Sequence, residues 1–322
     1  MLKIIFFGTP SFAVPSLSKL IQDERFDIVT VITQNDKPVG RKKTLTPSPI
    51  KSLAKSHDLN ILQPEKISLE VINNISKLAP DIFIIVAYGK ILPAKLLDIP
   101  RYGSINIHPS LLPKYRGPSP LQSTILNGDL RTGVSIMLID EKMDHGPILK
   151  VTPYTLTGDE TYESLGNQLF HIGANELPDT IVNFTKGSLK PKEQDHNKAT
   201  YTKLIKKENG LIDWTKPASY IEHMTRAYHP WPNTYFIPVI EKGIKNNLNF
   251  NINNPIKIHK AHISNNKTKL APGTLFKTLN NELAIACGEN SSLSIENLQL
   301  SGKKIITAQE FLRGNQNITL NN

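Results

Sequence analysis

The 322 residues carry 38 basic and 28 acidic side chains, a formal charge of +10, with 39% hydrophobic and 20% charged residues. Such a composition sits near the soluble globular average and excludes whole-chain disorder, collagen-like repeats and coiled coil, while the length fits roughly two domains of about 150 residues. The longest strictly apolar run, Ile82 to Ala87, is far short of the roughly 20 residues a spanning helix needs, so no membrane segment is expected.

In chain order, the first 150 residues alternate apolar runs with amphipathic segments, which predicts βα repeats around a mostly parallel, Rossmann-like sheet. Strands are expected at Leu2 to Phe7, Ile28 to Thr33, Asp81 to Ala87, Gly103 to Ile107 and Val134 to Ile139. The two-sided apolarity of Ile82 to Val86 suits a strand covered by helices on both faces. Helices are expected near Phe12 to Gln22, Ile50 to His57, Leu69 to Leu78 and Pro120 to Asn127, with Ser48-Pro49 and Ser119-Pro120 as N-cap and N1 pairs. Another helix starts near Thr161, with Leu165, Leu169 and Ile172 on one stripe, and Pro178 should end or kink it.

From Lys186 to Glu208 the text turns polar and loses its period, which reads as a linker. The resulting division is a catalytic domain over 1–188, a linker over 189–208 and a smaller domain over 209–322. In that smaller domain a helix near Ala218 to Tyr228 precedes short alternating stretches at Tyr235 to Ile240, Ile256 to Ile263, Gly273 to Thr278, Leu283 to Cys287 and Leu293 to Leu300. Their spacing predicts a C-terminal β-barrel of the OB-like kind. The Asn-rich stretch Asn246 to Asn254 reads as a long exposed loop. Up to Lys207 there are 26 basic against 20 acidic residues, and beyond it 12 against 8, so the smaller domain carries the greater charge per residue. A positive excess favours a polyanionic partner such as nucleic acid, although an Asn-, Lys- and Ile-rich text also gathers lysine by composition alone.

The amino-terminal apolar stretch is too short for an export leader, and Cys287 is the only cysteine, so no intramolecular disulfide and no cysteine metal cluster can form. The expected compartment is the cytoplasm. Neither a Gly-x-Gly-x-x-Gly nor a Gly-x-x-x-x-Gly-Lys-Ser/Thr fingerprint occurs, which lowers the case for NAD and ATP. The informative stretch is Ser104 to Pro118, a strand running into a Pro-rich loop. Asn106 and His108, two apart, would point to one side where the strand stops, and the next strand ends in Asp140-Glu141-Lys142-Met143-Asp144-His145-Gly146-Pro147. An amide, an imidazole and a carboxylate meeting at one edge suit acyl transfer to an amine. The amide can donate to the growing oxyanion, while the imidazole can polarise that oxygen or move the proton. The carboxylate can orient the imidazole. Taken singly, each is an ordinary residue: a satisfied polar group at a strand end, or an Asp in a turn.

The text Asn106-x-His108-x-Ser110-Leu111-Leu112-Pro113, then Arg116-Gly117, then Met143-Asp144-x-Gly146, resembles the folate-dependent formyltransferases. Supporting stretches are Gly8-Thr9-Pro10-x-Phe12-Ala13, Thr33-Gln34-x-Asp36-Lys37-Pro38-x-Gly40-Arg41, Ala87-Tyr88-Gly89-x-Ile91-Leu92-Pro93 and Arg226-Ala227-x-x-Pro230-Trp231-Pro232, and the match covers nearly the whole chain. The resemblance, closest to the tRNA-directed branch, implies transfer of the formyl group of 10-formyltetrahydrofolate to the α-amino group of methionine on initiator tRNA. It implies Asn106, His108 and Asp144 as the catalytic trio, a folate pocket of Ser110, Leu111, Leu112, Pro113, Ile91, Leu92, Leu138 and Asp140, no metal, and a monomer.

The basic stretch from Gln34 to Pro49 is too broken for a helix, and its Lys37, Arg41, Lys42 and Lys43 could grip an RNA acceptor end through phosphates. The resemblance implies that this insertion contacts tRNA. Arg226 to Pro232 reads first as core packing, and the lysines of the smaller domain as a surface for a tRNA arm. Three rivals stay open: a formyltransferase acting on a nucleotide-linked amino sugar, a hydrolase releasing formate from the same folate, and an RNA-binding module with an inert pocket.

Overall fold

The run Leu2–Gly8 forms strand β1, and Ile4, Ile5, Phe6 and Phe7 on both of its faces are at 0% exposure. Burial on both faces demands neighbours on both sides, and the chain supplies them as βα repeats. After β1 come α1 (Val14–Ile21), β2 (Phe26–Ile32), a hairpin of β3 (Lys37–Val39) and β4 (Thr44–Thr46), α2 (Pro49–Ser56), β5 (Ile61–Leu62), α3 (Leu69–Lys77), β6 (Ile82–Val86), α4 (Ala94–Leu97), β7 (Ser104–His108), α5 (Pro120–Leu126), β8 (Arg131–Leu138), β9 (Ile148–Thr155) and α6 (Tyr162–Thr185). Then follow α7 (Ala218–Ala227), β10 (Thr234–Phe236), β11 (Ile256–Ile263), β12 (Leu275–Lys277), β13 (Leu283–Ala286), β14 (Ser292–Leu300), β15 (Ile305–Thr307) and α8 (Ala308–Gly314). The structure is a computed structural model that describes residues 1–40, 43–238, 254–278 and 280–314.

The chain divides into two units. The first comprises Met1–Pro120, Arg131–Leu156 and Ser164–Lys203, and the second Leu121–Leu130, Thr157–Glu163 and Leu204–Asn322. The sheet of the first unit has the order β5-β2-β1-β6-β7-β8-β9. From β5 to β7 every pairing is parallel, whereas β8 and β9 run antiparallel. Sequential order reverses between β1 and β6, which opens a crevice at their carboxyl ends.

Local signals set the helix starts. Ser48 accepts from Lys51 N with Pro49 in the first turn, as expected, and Ser68 accepts from Val71 N at the head of α3. Ser119 gives its hydroxyl proton to the carbonyl of Lys203. Helix α6 does not stop at Pro178 but continues to Thr185. Proline there forfeits only the bond to Ala174 C=O, and the burial of Leu165, Leu169, Ala174, Leu177 and Ile181 along the helix outweighs that loss, each large apolar side chain contributing about 1.5–3 kcal/mol. Gly173 lets α6 lie close on β7: a Cβ at that position would stand 2.7 Å from Ile107 Cγ2.

In the second unit the described strands pair antiparallel, with isolated parallel bridges at Leu211–Tyr235 and Pro217–Gly288. Its strands pair in the order β10-β11-β14-β13-β12, with β15 completing the far half of the β14 edge. The inward row holds Ile256, Ile258, Leu293, Ile295 and Leu298, and α7 packs against β11 and β14. Ala227 and Tyr228 are core residues, as the motif reading expected, but Trp231 is 57% exposed. The stretch Asn246 to Asn254, read as a loop, lies outside the described residues up to Asn253. No helix among the described residues is long and apolar enough to cross a membrane.

Candidate active site

Strand β7 carries Asn106 and His108 on one face at its carboxyl end. His108 is buried, 4% exposed, and its Nε2 stands 2.9 Å from the Tyr115 carbonyl. A carbonyl only accepts, so Nε2 carries the proton and Nδ1 is left to face the Asp144 carboxylate, whose Oδ1 is 3.6 Å away. The other carboxylate oxygen accepts the Gly117 N–H at 2.6 Å. Among the described residues the Asn106 side-chain amide has no hydrogen-bond partner, and it keeps its two N–H donors for something else.

Asp144 reaches this place by a route the strand pattern did not predict. Because β8 is antiparallel to β7, its last residue Leu138 pairs with Ile105, at the amino end of β7, and Ile139 N bonds to Ser104 O. The carboxyl end of β8 therefore lies at the opposite edge from His108, and the loop from Ile139 to Pro147 doubles back over the sheet. Asp144 sits in that loop at φ +50, a left-handed conformation that Asp tolerates better than most residues. Gly146 allows the loop to close, since a Cβ there would stand 2.1 Å from Leu138 O.

The loop after β7 is held from beneath. Ser110 is fully buried and donates to Lys114 O, while Ser135 on β8 donates to Ser110 O and accepts from Leu112 N. Leu112 is buried, and Leu111 and Pro113 are half-buried. Leu92 and Ile139 pack on one apolar cluster with Tyr88 and Leu96, so the loops after β6 and β8 are neighbours. Ile91 points out at 87% exposure. Asp140 accepts from His145 Nδ1 and from Lys142 N.

The stretch from Gln34 to Pro49 is not featureless. β3 and β4 pair Lys37 with Thr46 and Val39 with Thr44, and the turn uses Gly40 at φ +74 and Lys43 at φ +49. Lys37 and Lys43 are exposed, while Arg41 and Lys42 lie outside the described residues. The base of the hairpin is anchored by Asp36, which pairs with Lys51 at 2.7 Å and accepts from Gln63. Lys51 first, and Gln63 after it, hold the Asp36 carboxyl below its ordinary value. Gln34 donates to the Tyr88 carbonyl at the sheet's crevice.

Most of the support of this site leaves no motif in the sequence. Arg116 is 1% exposed, and its guanidinium donates to Gln194 Oε1, to Tyr201 OH and to His196 Nδ1. Gln194 lies in the stretch expected to be a linker, yet residues 189–203 belong to the first unit and bond across it. Lys192 pairs with Ile148, and Thr200 and Thr202 bond to Pro113 and Arg116. A polar stretch without period looks the same in sequence whether it is solvated or pinned by partners 44 to 87 residues away.

The sequence model for formyl transferase matches residues 2–181, and that for the formyl transferase C-terminal domain matches residues 204–316. The chain belongs to the formyl transferase family. Among its formyl transferase relatives, the methionyl-tRNA formyltransferase of Roseiflexus castenholzii is 42% identical, over 97% of this chain and 96% of that protein. The one from Bacillus velezensis is 40% identical, over 98% and 95%. Two solved structures share the formyl transferase fold. One is the sugar 3N-formyl transferase WlaRD with dTDP and 5-N-formyl-THF, with a TM-score of 0.64, 21% identity and coverage of 94% of this chain and 99% of that one. HypX from Aquifex aeolicus in complex with tetrahydrofolic acid has a TM-score of 0.60 and 14% identity, and covers 97% of this chain with 47% of its own.

Proposed function

We propose that this enzyme transfers the formyl group of 10-formyltetrahydrofolate to the α-amino group of methionine on charged initiator tRNA. The observation that carries the reading is the unpartnered Asn106 amide beside the His108–Asp144 pair, in a chain about 40% identical over nearly all its length to methionyl-tRNA formyltransferases. The folate pocket is assigned to Ser110, Leu111, Leu112, Pro113, Ile91, Leu92, Leu138 and Asp140. An Asn106 amide with no hydrogen-bond partner among the described residues fits a ligand that carries a polar acyl group. No metal is needed for the chemistry.

In the reaction a bond forms between the methionyl nitrogen and the formyl carbon, and the bond from that carbon to the folate nitrogen breaks. The amine loses one proton and the folate nitrogen gains one. Asn106 donates its N–H to the formyl oxygen as negative charge grows there. Of the two roles open to His108, the Tyr115 bond favours proton handling, because only Nδ1, facing Asp144, remains open to exchange. Asp144 accepts the amine proton, directly or through His108.

The basic hairpin with Lys37, Arg41, Lys42 and Lys43 is assigned to the tRNA acceptor end, and the domain over 209–322 to a tRNA arm through its exposed lysines. The catalytic domain is assigned to 1–188, with the stretch over 189–203 packed on it in the same unit. The protein works in the cytoplasm as a monomer. Incubation with 10-formyltetrahydrofolate labelled in the formyl group tests this, with methionyl initiator tRNA, an amino-sugar nucleotide and water as parallel acceptors. Label in N-formylmethionine after deacylation is the expected result. Label in the sugar, or only in free formate, would overturn the acceptor assignment.

A further inference from the structure

Asp144 presents its carboxylate to His108 from the loop after β8, in a left-handed backbone conformation at φ +50. A short strap from Lys192 to His196 holds that loop at two points and the start of β9 behind it at a third. Lys192 makes two backbone bonds to Ile148. Gln194 donates through Nε2 to two loop carbonyls, Asp144 O at 3.0 Å and Gly146 O at 2.7 Å. The His196 ring stacks on that of His145, with centroids 4.0 Å apart and planes 5° from parallel.

Gln194 is 6% exposed, and the orientation of its amide is forced. Its oxygen accepts from Arg116 Nε at 3.1 Å and Nη2 at 2.7 Å, so only its nitrogen can face the loop. Arg116 in turn lies between the two residues that touch the catalytic pair: Tyr115 C=O accepts from His108, and Gly117 N–H donates to Asp144. Three consecutive residues thus fix the imidazole, the carboxylate and, through Gln194, the backbone that carries the carboxylate. A buried guanidinium facing neutral acceptors is a costly element to keep for packing alone.

We infer that Gln194 is a positioning residue for Asp144, held in register by Arg116, and that the strap over 192–196 of the first unit is thereby part of the active site's support. This rests on the proposed role of Asp144. The clamp sets where the carboxylate lies rather than what binds, so its loss lowers turnover and leaves substrate affinity in place.

Gln194→Glu separates positioning from packing. The carboxylate is the same shape and still accepts from Arg116, but it cannot donate to the Asp144 and Gly146 carbonyls. Single-turnover formyl transfer should slow roughly 10- to 100-fold, the size expected when a reacting group shifts by about an ångström, with KM for folate and for charged tRNA within about twofold of the parent. The Tm should stay within a few degrees of the parent. Gln194→Ala should slow transfer as much as Gln194→Glu does. In the Asp144→Ala background, Gln194→Glu should add no further loss, because both changes act through one carboxylate. Parent-like turnover in Gln194→Glu, or a further loss on top of Asp144→Ala, would overturn the inference. Parent-like turnover in Asp144→Ala alone would instead overturn the role given to Asp144, so the two failures are distinguishable.

Discussion

The two units differ in where the groups assigned to function lie. In the first, His108, Arg116 and Gln194 are each under 10% exposed and bonded to one another's neighbours, so their positions are fixed by partners that water cannot replace. In the second, the excess charge lies on exposed lysines, among them Lys267, Lys269, Lys303 and Lys304, while the strands beneath bury an apolar row. Desolvated groups act strongly and at one geometry, whereas solvated charges act weakly, additively and through a screened field. Substitutions in the first unit should therefore produce large, local, kinetic effects, and those in the second small, shared, salt-sensitive ones.

The sharpest way to break that contrast is Asn106→Ala. Removing one preorganised donor to a developing oxyanion should lower kcat roughly 100- to 1000-fold, with the fold intact, in a steady-state formylation assay. A loss below tenfold would mean that the Asn106 amide is not the oxyanion donor.

Packing offers a second comparison. Gly173→Val drives side-chain atoms into Ile107 beneath the site and should cost about 1–3 kcal/mol by denaturant unfolding. Gly302, at φ +73 in the second unit, has open space around it, so Gly302→Ala should cost only the left-handed backbone penalty of about 1–2 kcal/mol and leave activity unchanged. Equal effects of the two on turnover would erase the difference between the units.

Asp36 lies between the extremes, a half-buried anchor for an exposed basic hairpin. Its carboxyl is held below the ordinary 3.8 by Lys51 and Gln63, so the stabilisation it provides is complete above that value and fades as pH falls through its folded value. The parent should melt higher than Asp36→Asn at neutral pH, and the gap should hold down to the ordinary 3.8 and narrow as the pH is carried below it. A gap that does not change with pH would show that the ion pair contributes nothing there.

The smallest effects are expected at the exposed lysines. Changing Lys267, Lys269, Lys303 or Lys304 singly to Ala should raise the KM for charged tRNA less than about threefold, while the four together should flatten its dependence on salt. A single lysine carrying most of the effect would make the second unit a site of specific recognition rather than a field.

Local sequence determined a great deal here. Ile256 to Ile263 forms the strand that its alternation predicts, Ser48-Pro49 starts a helix, and Asn106 and His108 share a face because side chains on a strand repeat every second residue. Such signals are carried by neighbours within one turn or one pleat, and they survive in any tertiary setting. Tertiary structure alone decided the antiparallel direction of β8, since an apolar strand reads the same both ways. It also decided the doubled-back loop that delivers Asp144, the β3–β4 hairpin, and the burial of Arg116 against Gln194. The last two residues are 78 positions apart. A hydrogen bond across that distance leaves no period, no cap and no composition shift behind it, so the strap read as a linker until its partners were in place.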